Sequence, residues 1–134
     1  MNHKIKKWQL TVGLEVHIQL STKTKMFCPC PSKYGATPNT LICPICLGLP
    51  GALPSINEEA INMATRLGHA LNFKINKKTE FSRKNYYYPD LPKGYQISQF
   101  DKPICLEGFI EFEKNNEKKM IGITRAHLEE DSGK

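Results

Sequence analysis

The sequence predicts an α+β fold with a mainly antiparallel sheet and few helices. Three observations carry this. Residues 8 to 20 alternate apolar and polar side chains. One stretch of helical periodicity follows Asn57. Beyond it come short β-type segments joined by turn residues, without the strand–helix–strand alternation that a parallel sheet requires.

The first element is the alternating segment. Trp8, Leu10, Val12, Leu14, Val16, Ile18 and Leu20 are apolar, and Gln9, Thr11, Gly13, Glu15, His17 and Gln19 lie between them. Period two predicts a long β-strand with one face on a core. A slip of one residue would expose side chains each worth about 1.5–3 kcal/mol when buried, so the register is fixed. It puts Glu15 and His17 together on the polar face, about 7 Å apart at Cα.

Residues 21 to 56, rich in Pro, Gly and Cys, read as irregular structure. A helix follows, with Asn57 as N-cap and Glu58 and Glu59 in the first turn, where the helix dipole favours acids. Ala60, Ile61, Ala64, Leu67, Gly68 and Leu71 form its buried stripe, and Asn72 its stop. Phe73 to Phe81 and Gln96 to Phe100 read as strands. Phe109 to Ile123 reads as a hairpin turning at Lys114-Asn-Asn-Glu117.

The 134 residues amount to one domain or part of one, and no internal repeat or linker divides them. Apolar residues make up 40% and charged residues 24%, which argues against wholesale disorder. Net charge is +6, which suits an anionic partner such as nucleic acid or a phosphorylated substrate. Lys- and Asn-rich codon usage would give the same excess. The long uncharged stretch from Tyr34 to Asn57 is interrupted by Pro38, Pro44, Pro50 and Pro54, unlike a membrane span. The N-terminus has no apolar signal region, so a reducing, cytoplasmic setting is expected. The chain stops at Lys134 amid functional groups, so it reads as truncated.

Four constellations could carry chemistry. Cys28-Pro-Cys30 and Cys43-Pro-Ile-Cys46 are two close pairs that can converge on one tetrahedral ion. Four thiolates select Zn²⁺ and close its coordination, which makes such a site structural; the other reading is four reduced thiols in a loop. The fifth cysteine, Cys105, stands between Ile104 and Leu106 and reads as a core residue. Glu15 and His17 could ligate a metal or form a solvated strand face. His127-Leu-Glu-Glu-Asp131 sets three acids beside a histidine, which calls for solvation or a cation. Two such clusters together point to Mg²⁺. Finally, Arg83 to Phe100 interleaves cations with aromatics, which suits either phosphate and base contact or rings packed on a sheet.

The motifs Val12-Gly-Leu-Glu-Val-His-Ile-Gln-Leu20, Lys25-Met-Phe27, Pro50-Gly-Ala-Leu-Pro54, Arg83-Lys-Asn-Tyr-Tyr-Tyr-Pro-Asp90, Tyr95-Gln-Ile-Ser-Gln-Phe-Asp101 and Ile123-Thr-Arg-Ala-His-Leu-Glu-Glu-Asp131 resemble the B-type subunit of the bacterial Asp/Glu-tRNA(Asn/Gln) amidotransferase. The resemblance implies that residues 1–134 are the N-terminal portion of a glutamine synthetase-like catalytic cradle domain, with a Cys₄ zinc loop inserted at about 28–46. The family's helical domain and tRNA-binding tail domain would then be absent. It implies a ligase that uses ATP and Mg²⁺ to phosphorylate the side-chain carboxylate of Glu-tRNA(Gln) or Asp-tRNA(Asn), or both, and amidates it with ammonia. The A-type subunit of the amidotransferase would supply the ammonia from glutamine, and the C-type subunit would complete a heterotrimer.

By the same resemblance, Glu15, His17 and Glu130 match metal-site and catalytic positions, with Glu129 a further metal candidate. Lys84 and Lys93 match basic catalytic positions near the site. The cysteine quartet occurs in only part of the family, so its zinc is implied to be structural. The fragment alone is expected to be inactive. A free-standing zinc-binding RNA module would use the charge, the cysteines and the Tyr-rich loop but leave Glu15, His17 and the acidic cluster without a role. A fragment without function is the remaining alternative.

Overall fold

A computed structural model of the chain describes residues 8–130. Its elements are α1 (Pro44–Leu47), α2 (Glu58–Ala70), β1 (Lys74–Ile75), β2 (Ser82–Asn85), β3 (Tyr95–Ser98), β4 (Cys105–Lys114) and β5 (Glu117–Ala126). The strands form a three-stranded sheet, β1-β4-β5, and a two-stranded ribbon, β2-β3. Every pairing is antiparallel. The fold is α+β, as the sequence predicts.

Local chemistry explains the elements that match. The Asn57 side chain accepts the backbone N–H of Glu59, and its amide donates to Thr24 Oγ1 and to the Thr24 carbonyl. One residue thus caps α2 and ties it to the loop before it. Ala60, Ala64 and Gly68 are the buried residues of α2. Gly68 permits the closest approach to the sheet, because a Cβ there would lie 2.4 Å from Ile75 Cδ1 and 2.8 Å from Cys105 Sγ. After α2, Asn72 takes φ +55°, the left-handed conformation that ends a helix. The β4–β5 hairpin turns on Asn115 and Asn116, with φ of +56° and +61°. Two left-handed residues in a two-residue loop match the twist of the strands, and Asn tolerates that region better than most side chains.

The core is small. Ala64, Phe73, Ile104, Cys105 and Leu128 are buried together, and Leu20, Met26, Ile75 and Phe81 pack around them. Cys105 is 1% exposed, the core residue its neighbours predict, and burial pushes its thiol pKa up.

Three expectations need correction. Residues 8–20 form no strand. Trp8, Leu10 and Leu14 are 93%, 89% and 88% exposed, and only Leu20 reaches the core. Alternation makes a segment fit for a half-buried strand, but the ladder needs a neighbouring strand, and none of the described strands lies beside this one. The strand expected over Phe73–Phe81 is only Lys74–Ile75. Its partner β4 begins at Cys105, and the Ile104 N–H, which would carry the ladder on, donates to Gln99 Oε1 at 3.2 Å. Asn76 instead bonds the carbonyls of Ile104 and Pro103. Conversely, Ser82–Asn85, to which the sequence reading assigns no strand, is one through its pairing with β3.

Candidate functional site

Two clusters of functional side chains lie on this frame. The first is the cysteine quartet. The Sγ atoms of Cys28, Cys30, Cys43 and Cys46 all lie within 4.8 Å of one another. Cys28 to Cys46 is 3.5 Å and Cys43 to Cys46 is 3.8 Å. Four sulfurs around a tetrahedral zinc, each about 2.3 Å from it, would be about 3.8 Å apart, so the donor set fits that ion. The loop folds this way because Lys25 N–H bonds the Cys30 carbonyl across the first pair, while Pro44 starts α1 directly after Cys43.

The thiols differ. The backbone N–H of Cys46, pointing at Cys43, lowers the Cys43 pKa to about 7. Burial pushes Cys28 up to about 12 and raises Cys30 as well. A cation that displaces the protons would remove that penalty. Lys25, which the sequence marks only as part of a motif, belongs here too. Its Nζ donates to the Leu41 carbonyl at 2.7 Å and reaches Cys46 Sγ at 3.5 Å. No spacing rule marks it, because it precedes the first cysteine and acts through the fold.

The second cluster brings residues 15–17 to residues 127–130. Residues 127–130 run beside β3, held by a buried side chain. Gln99 is 1% exposed, and its Oε1 accepts the N–H of Ile104 and of Leu128. The Glu130 N–H then bonds the Ile97 carbonyl at 3.0 Å. This lays Glu129 and Glu130 along the ribbon. Glu129 Oε2 accepts Ser98 Oγ at 3.2 Å and lies 3.4 Å from His127 Nε2. Glu129 Oε1 is 3.9 Å from His17 Nδ1, and His17 Nε2 is 3.7 Å from Glu15 Oε1. Glu130 pairs with the Lys93 ammonium and accepts the Ile97 N–H at 2.8 Å.

Of the predicted site residues, Glu15, His17, Glu129, Glu130 and Lys93 therefore lie in two adjoining groups. The acids and His17 form a string of pairs rather than a closed cage. Among the described residues only the cysteines bring three or more ligand atoms within 4.8 Å of one another. Lys84 is exposed on β2, opposite Gln96. Strand alternation places it on the same face as Ser98. Ser82, Arg83, Lys84, Ser98 and Phe100 line a cavity of about 220 Å³. Asp131 and Lys134 lie outside the described residues. His127, which the sequence marks as part of the acidic cluster, joins the site, and so do Ser98 and Gln99, which it does not mark as ligand or support. The i, i+2 spacing of His127 and Glu129 is the available signal for His127; Ser98 and Gln99 act only through the pairing of β3.

Electrostatically, Glu15, Glu129 and Glu130 bring three carboxylates, and Lys93 is the ammonium paired among them. The cluster therefore carries excess negative charge and oxygen donors of the kind hard divalent cations take, but its oxygens do not converge on one point as the cysteine sulfurs do. Among the described residues, no helix is long and apolar enough to cross a membrane.

Residues 10–134 match the family model described as the GatB/GatE catalytic domain. The chain is 61% identical over 127 residues to the B-type subunit of the aspartyl/glutamyl-tRNA(Asn/Gln) amidotransferase of Campylobacter jejuni subsp. doylei. The corresponding proteins of Geobacter sp. (strain M21) and Brevibacillus brevis are 57% and 58% identical over 128 residues. These alignments cover 95–96% of the chain and 27% of each relative's length. The chain belongs to the GatB/GatE catalytic-domain family.

Proposed function

We propose that this chain is the N-terminal part of the cradle domain of an ATP-dependent tRNA amidotransferase, working in the cytoplasm. The complete protein would phosphorylate the side-chain carboxylate of Glu-tRNA(Gln) or Asp-tRNA(Asn) and exchange the phosphate for ammonia. Its partners would be the glutamine-hydrolysing A-type subunit, the C-type subunit and the misacylated tRNA. By itself the chain would catalyse no amidation. The observation that carries the reading is the string Glu15–His17–Glu129, in which His17 stands 3.7 Å from Glu15 and 3.9 Å from Glu129, an acid from a distant part of the sequence.

A side-chain carboxylate is a poor acyl donor, and phosphorylation supplies its leaving group. Glu15, Glu129 and Glu130 would hold Mg²⁺ with His17 beside them. When bound, that ion stabilises negative charge on phosphate oxygens. The protein's part is orientation. Ser98 fixes one oxygen of Glu129, and Lys93 with the Ile97 N–H fixes both oxygens of Glu130. Lys84 brings a cation to the lining of the neighbouring cavity, where a phosphate could be met, while the Arg83 guanidinium stacks on the Tyr95 ring at 4.7 Å. The four cysteines would hold a structural zinc, outside the reaction.

The test is a chimera in which residues 10–134 of this chain replace the matching segment of the Campylobacter relative. Supplied with its partner proteins, ATP, Mg²⁺ and misacylated tRNA, it should form amidated tRNA. A soluble chimera that assembles but forms no product would reject the reading.

A further inference from the structure

We propose that the cysteine knuckle is a positioning device for Lys93. Its Gly48 corner backs the Lys93 main chain so that the ammonium meets Glu130, and the metal that closes the knuckle maintains that contact. The inference rests on the zinc reading and on the placement of Lys93 in the acid site.

Helix α1 ends at Leu47, one residue after Cys46, and Gly48 follows in the left-handed conformation at φ +64° and ψ +35°. Its N–H bonds the Ile45 carbonyl at 3.1 Å, so a metal ligand and the corner belong to one turn. A Cβ on Gly48 would lie 2.5 Å from Lys93 Cβ and 3.2 Å from Lys93 Cα. Both the backbone angle and the approach therefore exclude a side chain. The Lys93 side chain is 6% exposed and pairs with Glu130, which is 15% exposed.

The knuckle touches the ribbon again at its other end. Phe27, beside Cys28, meets Phe81 edge-on at 5.1 Å, and Phe81 leads into β2. The knuckle thus braces the residue before β2 and, through Gly48, a residue close before β3. α1, four residues long, is the regular element within the knuckle itself. Without a metal, backbone bonds hold each cysteine pair internally, but the two pairs are joined to each other by the Cys28–Cys46 sulfur contact at 3.5 Å and the Lys25 bonds to Leu41 and Cys46. A thiol is a weak donor, so those contacts resist displacement poorly. Release of the metal would let Gly48 move and open Lys93 to solvent.

The experiment uses the 134-residue chain in three states: zinc-loaded, stripped with a chelator, and zinc-loaded Gly48→Ala. Zinc content is measured first, and Co²⁺ substitution reports the thiolate-to-metal charge-transfer band. Lysines are then acetylated, and the rate at each is read by mass spectrometry. Lys84, exposed on β2, serves as the reference. Amide exchange in the β4–β5 hairpin reports the global fold. Lys93 acetylation should rise by about tenfold or more on zinc removal and in Gly48→Ala, with Lys84 and hairpin exchange unchanged. Gly48→Ala should keep its zinc and its charge-transfer band. If Gly48→Ala does not fold, the chelation arm decides.

Zinc bound with Lys93 equally protected in every folded state would overturn this inference and leave the zinc reading standing. Loosening of the hairpin together with Lys93 would overturn it too, since the knuckle would then support the whole fold and not this contact. A chain that takes up no zinc overturns both the zinc reading and this inference, and that failure is seen before any labelling.

Discussion

Replacing Lys93 by Met keeps the length of the side chain and removes its charge. The Lys93 and Glu130 side chains are 6% and 15% exposed, so the pair is largely withdrawn from water. Removing one partner of such a pair costs about 3–5 kcal/mol, because the remaining charge is buried without compensation. Glu130 keeps the Ile97 N–H, which places the expected loss near the lower end, about 3 kcal/mol. That is roughly a 150-fold change in the folding equilibrium. The assay is urea unfolding followed by circular dichroism. With a slope of about 1–2 kcal/mol/M for a chain of this size, the midpoint should fall by roughly 1.5–3 M. The double variant Lys93→Met/Glu130→Leu should recover most of the loss, since no charge is then stranded. A loss under about 1 kcal/mol in Lys93→Met would show that Glu130 is solvated, and the reasoning from burial would fail.

Further outcomes follow from other contacts. Purified chain should carry about one zinc, lost on Cys43→Ser/Cys46→Ser, as metal analysis will show. Lys25→Met should weaken zinc retention in chelator competition by about tenfold, as outer-shell partners commonly do. Gln99→Leu should cost about 2–4 kcal/mol in urea unfolding, because it strands the N–H groups of Ile104 and Leu128. Asn116→Val should cost about 1–2 kcal/mol in the same assay, because a β-branched residue resists the φ of +61° found there.

The sequence is most legible where one residue's own chemistry decides the outcome. Asn57 capping α2, the paired Asn residues of the hairpin turn and the converging cysteines are of this kind. It is least legible where structure depends on a partner distant in sequence. The alternation over 8–20 is real, yet a ladder cannot be read from one of its two strands. Ser82–Asn85 has little strand propensity and becomes β2 only because Tyr95–Ser98 lies beside it. Gln99 looks like any polar residue near a strand end, and its two backbone bonds exist only once residues 104 and 128 are brought to it. Glu15 and His17 are visible as a pair. Their partner Glu129 is visible only as one acid of the cluster 127–131, and that the two clusters meet cannot be read from either local pattern.

The central claim is that Glu15 and His17 take part in a divalent-cation site and are not an ordinary solvated face. It is tested by tRNA-dependent ATP cleavage in the chimeric protein across a Mg²⁺ titration, comparing the parent with Glu15→Gln and His17→Ala. Glu15→Gln keeps the shape and removes one negative charge. At low Mg²⁺ its rate should fall by at least about tenfold, or roughly 1.4 kcal/mol in the barrier, with partial recovery as Mg²⁺ rises. Rates equal to the parent for both variants at low Mg²⁺ would contradict the account.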